Sequence, residues 1–311
     1  MAEWLYEDGI GERRAALVED GRIVAAEIEL PEGLFVGLIA RGRLIEAARG
    51  GGLVRIGEEE AALDRVPDGL SVGRDLMVEV VREAIPEPGR PKRAKAVASE
   101  RDPASAPTLF ERLGKTGIPV RHPAAHDTDL LEAAGWSELL DEAATGEIAF
   151  AGGALRMSPT PAMTLFDVDG VGNPLVLACT AATAVGEAVA RHRIGGSIGI
   201  DFPTLTGKAD RQRVGEAIDA ALAKPFERTA MNGFGFLQIV RPRPRASLPE
   251  LIHADPVGAA ARAALRAIER VPPNAPNTHR LAPAVLARIE AHPEWLTELV
   301  RRTGRTPILG S

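Results

Sequence analysis

A single cysteine, Cys179, excludes an internal disulfide and any zinc site built from several cysteines. It lies in an apolar stretch, where a thiol packs as a small hydrophobe. No run is long and apolar enough to span a membrane. The opening Met-Ala-Glu-Trp-Leu-Tyr-Glu-Asp also lacks the basic-then-apolar layout of a signal peptide. The expectation is a cytoplasmic protein with no membrane partner. An excess of positive charge is missing too. With 37 basic against 43 acidic residues, the net charge of −6 argues against a whole-molecule grip on nucleic acid, although local basic clusters could still provide one. Aromatics make up only 4% of the chain. What is present is ordinary for a globular protein: 311 residues, 45% hydrophobic, enough for two domains with substantial cores.

Two stretches carry the chemistry. Met163-Thr-Leu-Phe-Asp167-Val-Asp169-Gly170 and Gly195-Gly-Ser-Ile-Gly-Ile-Asp201-Phe202 are each a short apolar run ending in a carboxylate. Between them, residues 177–193 are Ala- and Val-rich and long enough for a crossover helix. Strand, helix, strand predicts a βαβ unit with parallel strands, so both acids fall at the carboxyl-terminal edge of one sheet. Alternation puts Asp167 and Asp169 on the same face. Two or three carboxylates meeting there form a hard-oxygen site suited to Mg²⁺ or Mn²⁺. The competing reading is that each Asp merely forms a turn, as Asp169-Gly170 readily would.

The rest of the chain frames that unit. Residues 12–30 read as a hairpin through Glu19-Asp20-Gly21. Short β-prone segments follow at 34–40, 43–47, 53–56, 76–81 and 94–98, which predicts a small antiparallel barrel of the OB type at 33–99. Such barrels hold single-stranded nucleic acid in a basic groove with stacked aromatics. Here Arg41, Arg43, Arg55, Lys92 and Lys95 supply the basic part, while Phe35 is the only aromatic between Gly33 and Ser99. Either a phosphate track or an ordinary solvated face fits that pattern. A Pro-rich linker is expected at 87–107, then helices at 107–113 and 128–143 and strands at 118–120 and 148–150. His122 and His126 sit in a loop and read as surface residues. After a helix at 208–223 and a strand at 229–240 comes Arg241-Pro-Arg243-Pro-Arg245, either a phosphate grip near the metal or a charged linker. Helical stretches at 256–270 and 283–302 predict a small C-terminal appendix.

Leu-Phe-Asp167-Val-Asp169-Gly170 resembles the first motif of haloacid-dehalogenase-type phosphatases, over fewer than ten residues. That family also needs a downstream lysine and a later acidic pair. Lys208 and Lys224 are the only lysines after Asp167, and no acidic pair of the required kind follows. Taken whole, the chain resembles a shortened member of the ribonuclease E/G family. The points of contact are Ala-Leu-Val-Glu-Asp-Gly-Arg-Ile at 16–23, Ala-Arg-Gly-Arg-Leu-Ile-Glu at 40–46, Gly-Glu-Ile-Ala-Phe-Ala-Gly-Gly at 146–153, the two Asp-bearing stretches, and Gly233-Phe-Gly-Phe-Leu-Gln.

The resemblance implies an RNA-binding barrel at 33–99 and an RNase H-like region made of 1–32 with 100–150. It also implies a DNase I-like catalytic core at 151–246, followed by the helical region 247–311. The implied activity is Mg²⁺-dependent hydrolysis of single-stranded RNA, with the metal on Asp167 and Asp201. Asp169 stands where the family usually has an asparagine that positions the scissile phosphate. Arg241, Arg243, Lys92 and Lys95 match basic positions of the family. Departures are equally specific. Leu53 and Leu63 replace stacking aromatics, Gly233 replaces an arginine and Gln238 a glutamate. The zinc-link cysteines and the 5′-end pocket are missing. The expectations are therefore no zinc, no zinc-linked assembly and weaker RNA binding; a monomer and a homodimer through the core stay open. The alternative within this family is an RNA-binding protein that no longer cuts.

Overall fold

The computed structural model describes residues 1–87, 89, 91–124 and 127–311. His126, read above as a surface residue, lies outside them. The architecture is α/β, with mixed sheets and a closed five-stranded barrel.

The chain opens with β1 (Glu3–Asp8), which the sequence reading missed, and the predicted hairpin β2 (Arg13–Glu19) and β3 (Arg22–Glu29). Asp20 (φ 49°) and Gly21 (φ 77°) both take the left-handed backbone that a tight hairpin connection needs.

The barrel follows as β4 (Ile39–Ala48), β5 (Gly51–Ile56), β6 (Glu59–Leu63), β7 (Asp75–Arg82) and β8 (Ala94–Ala98), closed in the order β4-β5-β6-β8-β7. Two expectations fail here. The barrel is not antiparallel throughout, because β6 and β8 run parallel. A closed ring with an odd number of strands cannot alternate direction all the way round. The expected strand at 34–40 is mostly loop, and β6 takes its place; its Glu-Glu-Ala-Ala-Leu has little β-propensity and forms by pairing with β5. The predicted linker 87–107 also contains β8, a barrel strand.

Beyond the barrel come α1 (Leu109–Gly114), held by a Thr108/Glu111 capping box, and β9 (Val120–Arg121), parallel to β1. The helix expected at 128–143 is two, α2 (Leu130–Ala133) and α3 (Trp136–Thr145), broken at Gly135 with φ 96°. Leu131, Trp136 and Leu139 pack with Leu5, Ala16, Ile23 and Ala26 beneath the N-terminal sheet.

Next come β10 (Glu147–Phe150), β11 (Gly153–Pro159), β12 (Thr164–Gly170), α4 (Pro174–Arg191), β13 (Gly196–Asp201), α5 (Lys208–Ala221), β14 (Glu227–Arg228) and β15 (Phe236–Arg241). Their six strands form one sheet in the order β10-β11-β12-β13-β15-β14. As the spacing predicts, β12, α4 and β13 are a crossover unit whose strands are parallel neighbours. The expected strand at 229–240 begins only at Phe236, since 229–235 turn sharply first. Alternate strand residues (Leu155, Met157, Phe166, Val168, Ile198, Ile200, Leu237, Ile239) bury one face against the Ala-rich side of α4 and Val214 and Ile218 of α5. Cys179 packs partly buried against this core. Among the described residues α4 alone is long and apolar enough to cross a membrane, contrary to the first reading. Its buried alanines and valines already face the sheet.

The C-terminal part comprises α6 (Leu248–Ala254), α7 (Pro256–Glu269), β16 (Thr278–Arg280), α8 (Pro283–Glu290), α9 (Pro293–Thr303) and β17 (Ile308–Gly310). Pro293 starts a second helix where one was expected at 283–302. This helical region packs on the N-terminal part of the chain. α6 joins the core under the N-terminal sheet, and Ile10 of the hairpin end packs among Leu265, Ile289 and Leu299.

His192, fully buried at the end of α4, ties α3 to this assembly through its Nε2, 3.2 Å from Glu142. Burial, outweighing the pull of Glu142, holds its imidazole below the ordinary value of 6.5. The unfolded chain takes up that proton more readily than the folded one. The contribution of His192 is therefore intact above pH 6.5 and is lost as pH falls below it. Glu142, held below 4.5 by bonds to His192 and Arg191 that outweigh its burial, loses its share on further acidification. Thermal melts should show stability falling between pH 7 and pH 5.5, with His192→Gln shallower over that interval.

Candidate functional site

The open face of the six-stranded sheet, opposite α4 and α5, carries the carboxylates. Asp167 of β12 pairs in register with Asp201 of β13, with Arg156 of β11 on one side and Phe236 of β15 on the other. One row therefore runs Glu147, Arg156, Asp167, Asp201, Phe236 across five strands. Neighbouring strands lie about 4.8 Å apart, so the two carboxylates are adjacent. Both are exposed. Asp169 sits two residues further along the same face, opposite Ala154.

The sequence reading missed three neighbours. Arg156 lies 3.1 Å from Glu147 and 3.9 Å from Asp169. Hydrogen bonding to Glu147 is the main cause that raises its guanidinium above the ordinary value, with Asp169 and then Asp167 adding to it. Phe236 is the second. At Gly199 a Cβ would meet its ring at 2.7 Å and Leu165 at 2.8 Å, so the absent side chain leaves space for an apolar cover beside Asp201. Phe234 is the third, and it is 84% exposed. Its turn is tightly built: Asn232 Oδ1 accepts from the Phe234 and Phe236 amides at 2.9 and 3.0 Å. Gly235, at φ 102°, hydrogen-bonds through its carbonyl to the Phe202 amide at 3.1 Å. The turn is thus fastened to the residue that follows Asp201. Alternation in Ala154-Leu-Arg156-Met would have revealed Arg156; nothing local marks Phe234 as exposed.

Among the described residues no three carboxylates, histidines or cysteines gather into a closed metal cage. Mg²⁺ does not require one, since it keeps several waters and is often held by one or two carboxylates plus substrate phosphate. Asp167 and Asp201 fit that pattern.

The expected basic contacts divide sharply. Arg41 and Arg43 are exposed on one face of β4 and have no ion-pair partner among the described residues. Lys92 lies 2.6 Å from Glu87, and Lys95 lies 2.8 Å from Asp64. Arg243 is shared between Glu87, at 3.2 Å, and Glu250. Nor do Arg241 and Arg243 lie near the acids. Arg241 pairs with Gly196 at the start of β13, five strand positions from Asp201, or about 17 Å at 3.3 Å per residue. The antiparallel course of β15 carries them to the opposite edge, so the expected phosphate grip beside the metal is corrected. Leu53 and Leu63 are buried and offer no face to a base. His122 is exposed and edge-on to Tyr6, away from the carboxylates.

No family model matches this chain, and no curated protein does.

Phe234 thus presents an exposed aromatic ring on a turn fixed beside the paired acids. Stacking on an aromatic is worth about 1–3 kcal/mol per base. If the RNA-binding proposal made below holds, Phe234→Ala is expected to weaken binding of a short single-stranded RNA about tenfold by fluorescence anisotropy, with Phe234→Trp retaining affinity and both variants melting like the parent.

Proposed function

We propose that this protein is a metal-dependent endoribonuclease acting on single-stranded RNA, a shortened relative of the ribonuclease E/G family. The observation that carries the reading is the register of Asp167 with Asp201 on adjacent parallel strands of an open sheet face. The sheet-and-crossover unit agrees with a DNase I-like core, and the N-terminal sheet with α1 to α3 agrees with an RNase H-like region. The order β4-β5-β6-β8-β7, with its one parallel pair, agrees with an OB-type barrel. Asp167 and Asp201 would hold Mg²⁺ or Mn²⁺, which supplies an activated water and offsets charge on the scissile phosphate. Asp169 borders the reacting phosphate, and Arg156 counters its charge. Phe234 and the Phe236 cover hold a base, while Arg41 and Arg43 on the barrel draw in the backbone.

The second reading, a non-cutting RNA-binding protein of the same family, is favoured by Arg156. This cation lies beside both Asp167 and Asp169, where it competes with a metal. Labelled AU-rich single-stranded RNA incubated with and without Mg²⁺ separates the two. Metal-dependent cuts support the nuclease; a retarded but intact RNA supports the binder. RNA that is neither cut nor retarded would turn attention to the Asp167-Val-Asp169-Gly170 motif and to phosphomonoester hydrolysis.

Gly233 offers a test of the family reading by gain. A Cβ there meets nothing within 4 Å. Gly233→Arg, which restores the family's residue, is expected to fold normally and to raise cleavage severalfold at low RNA concentration.

A further inference from the structure

At the edge of the sheet away from the carboxylates, a cavity of about 320 Å³ opens between β3, the end of α4 and the 241–245 strip. Glu27, Arg193, Arg241, Arg243 and Arg245 line it. Four cations to one acid is an unusual lining for an empty space. Around it, nearly every charge has a counter-charge. Arg193 lies 2.7 Å from Glu27, Arg245 lies 2.8 Å from Glu83, and Arg243 is held by Glu87 and Glu250.

Arg241 is the exception. It is half-buried, yet among the described residues it has neither an ion pair nor a hydrogen-bond acceptor. Burial first, and then the charge of Arg193, hold its guanidinium below the ordinary value. One more donor nearby is unmet: the buried Nε of Arg243 has no hydrogen-bond partner among the described residues. A half-buried cation and a buried N–H without an acceptor are costly to leave so. Positive charge is therefore in excess at this cavity.

The backbone packs closely beside these arginines. Arg193 takes φ 57°, rare for a residue with a side chain, at the turn from α4 into β13. Gly195 and Gly196 let the arginine strip lie against that turn. A Cβ on Gly195 would sit 2.6 Å from the Pro242 carbonyl, and one on Gly196 3.0 Å from Arg243 Cδ.

We infer that this cavity is a binding site for a single phosphate group, held by Arg241 and Arg193 with donors from Arg243 and Arg245. Planar guanidinium forks suit a phosphate's oxygens. At about 17 Å from Asp201 the bound phosphate is not the one being cut. The site stands whether or not the carboxylates cleave RNA. Its phosphate comes either from an RNA or from a small phosphate ester.

Calorimetric titration with inorganic phosphate in metal-free buffer tests this without any reliance on nuclease activity. Wild type is expected to show one saturable site, Arg241→Met at least a tenfold weaker one, and Arg241→Lys an intermediate one, with thermal melts confirming that each variant folds. Displacement of the phosphate by a 5′-phosphorylated RNA octamer but not by its 5′-hydroxyl twin assigns the group to an RNA end. Displacement by both assigns it to the RNA backbone, and displacement by neither to a small ester. No saturable binding by wild type, or equal binding by Arg241→Met, overturns the site.

Discussion

Asp167→Asn and Asp201→Asn, made separately, are each expected to lower Mg²⁺-dependent cleavage of single-stranded RNA by about 100-fold or more in kcat. That is the scale of losing one preorganised electrostatic contact at a reacting centre. Each change keeps the side chain's size and removes a charge that a divalent cation needs. Because both carboxylates are exposed, unfolding free energies should stay within about 0.5 kcal/mol of the parent. Asp169→Asn serves as the internal contrast. It places an amide where the ribonuclease E/G family has one and should leave cleavage intact or raise it. A common loss in all three variants would mean that general negative charge on the face, rather than a metal on the register-matched pair, supports the reaction. Unchanged cleavage in Asp167→Asn and Asp201→Asn would remove the proposed centre altogether.

The largest effect on stability is expected from the buried ion network that joins the hairpin to α7. Arg14 is almost wholly buried, 3.2 Å from Glu12 and 3.7 Å from Glu7. Arg262 reaches Glu12 at 2.8 Å, and Arg266 reaches Glu7 at 3.0 Å and also binds Asp129; Arg270 binds Glu7 as well. Burial lowers the Arg14 guanidinium pKa, and Glu12 and Glu7 pull it back up. Breaking a buried pair by deleting one partner strands the other charge, at a cost of about 3–5 kcal/mol. Arg14→Met and Arg266→Met should each lose stability on that scale in urea unfolding. A loss under 1 kcal/mol would mean that the remaining charges re-pair or reach water. Arg302→Met breaks the mostly shielded contacts to Glu269 and Glu298 at the edge of the same region and should cost less.

Much of this fold was legible because local signals agreed with tertiary pairing. Asp20-Gly21 dictated its hairpin, and an apolar run, an Ala-rich helix and a second apolar run dictated parallel β12 and β13 with their acids side by side. What escaped turned on pairing and on single residues that the hydrophobic pattern does not register. β6 is charged and Ala-rich and becomes a strand only through β5 and β8. Pro293 and Gly135 each ended a helix that hydrophobic period alone would have continued. Arg243, Lys92 and Lys95 look free in a linear reading, but Glu87, Glu250 and Asp64 are brought to them by folding. At the candidate site, the paired aspartates were legible as strand ends. The direction of β15, which sends Arg241 to the far edge, was not, because either strand orientation satisfies the same apolar pattern. Phe234 was hidden for a related reason. Its exposure comes from a turn fixed by the Asn232 side chain and by the docking of Gly235 on Phe202.

The Arg262 to Glu12 bond links residues 250 positions apart, and the Arg266 to Glu7 bond links residues 259 apart. During synthesis, Glu7 and Glu12 therefore emerge long before α7 does; of the arginines that pair with them among the described residues, Arg14 alone is made alongside them. The N-terminal sheet reaches its final charge balance only after the barrel and the six-stranded core have been made, so a ribosome-bound chain lacking α7 would hold its first strands in a protease-sensitive state.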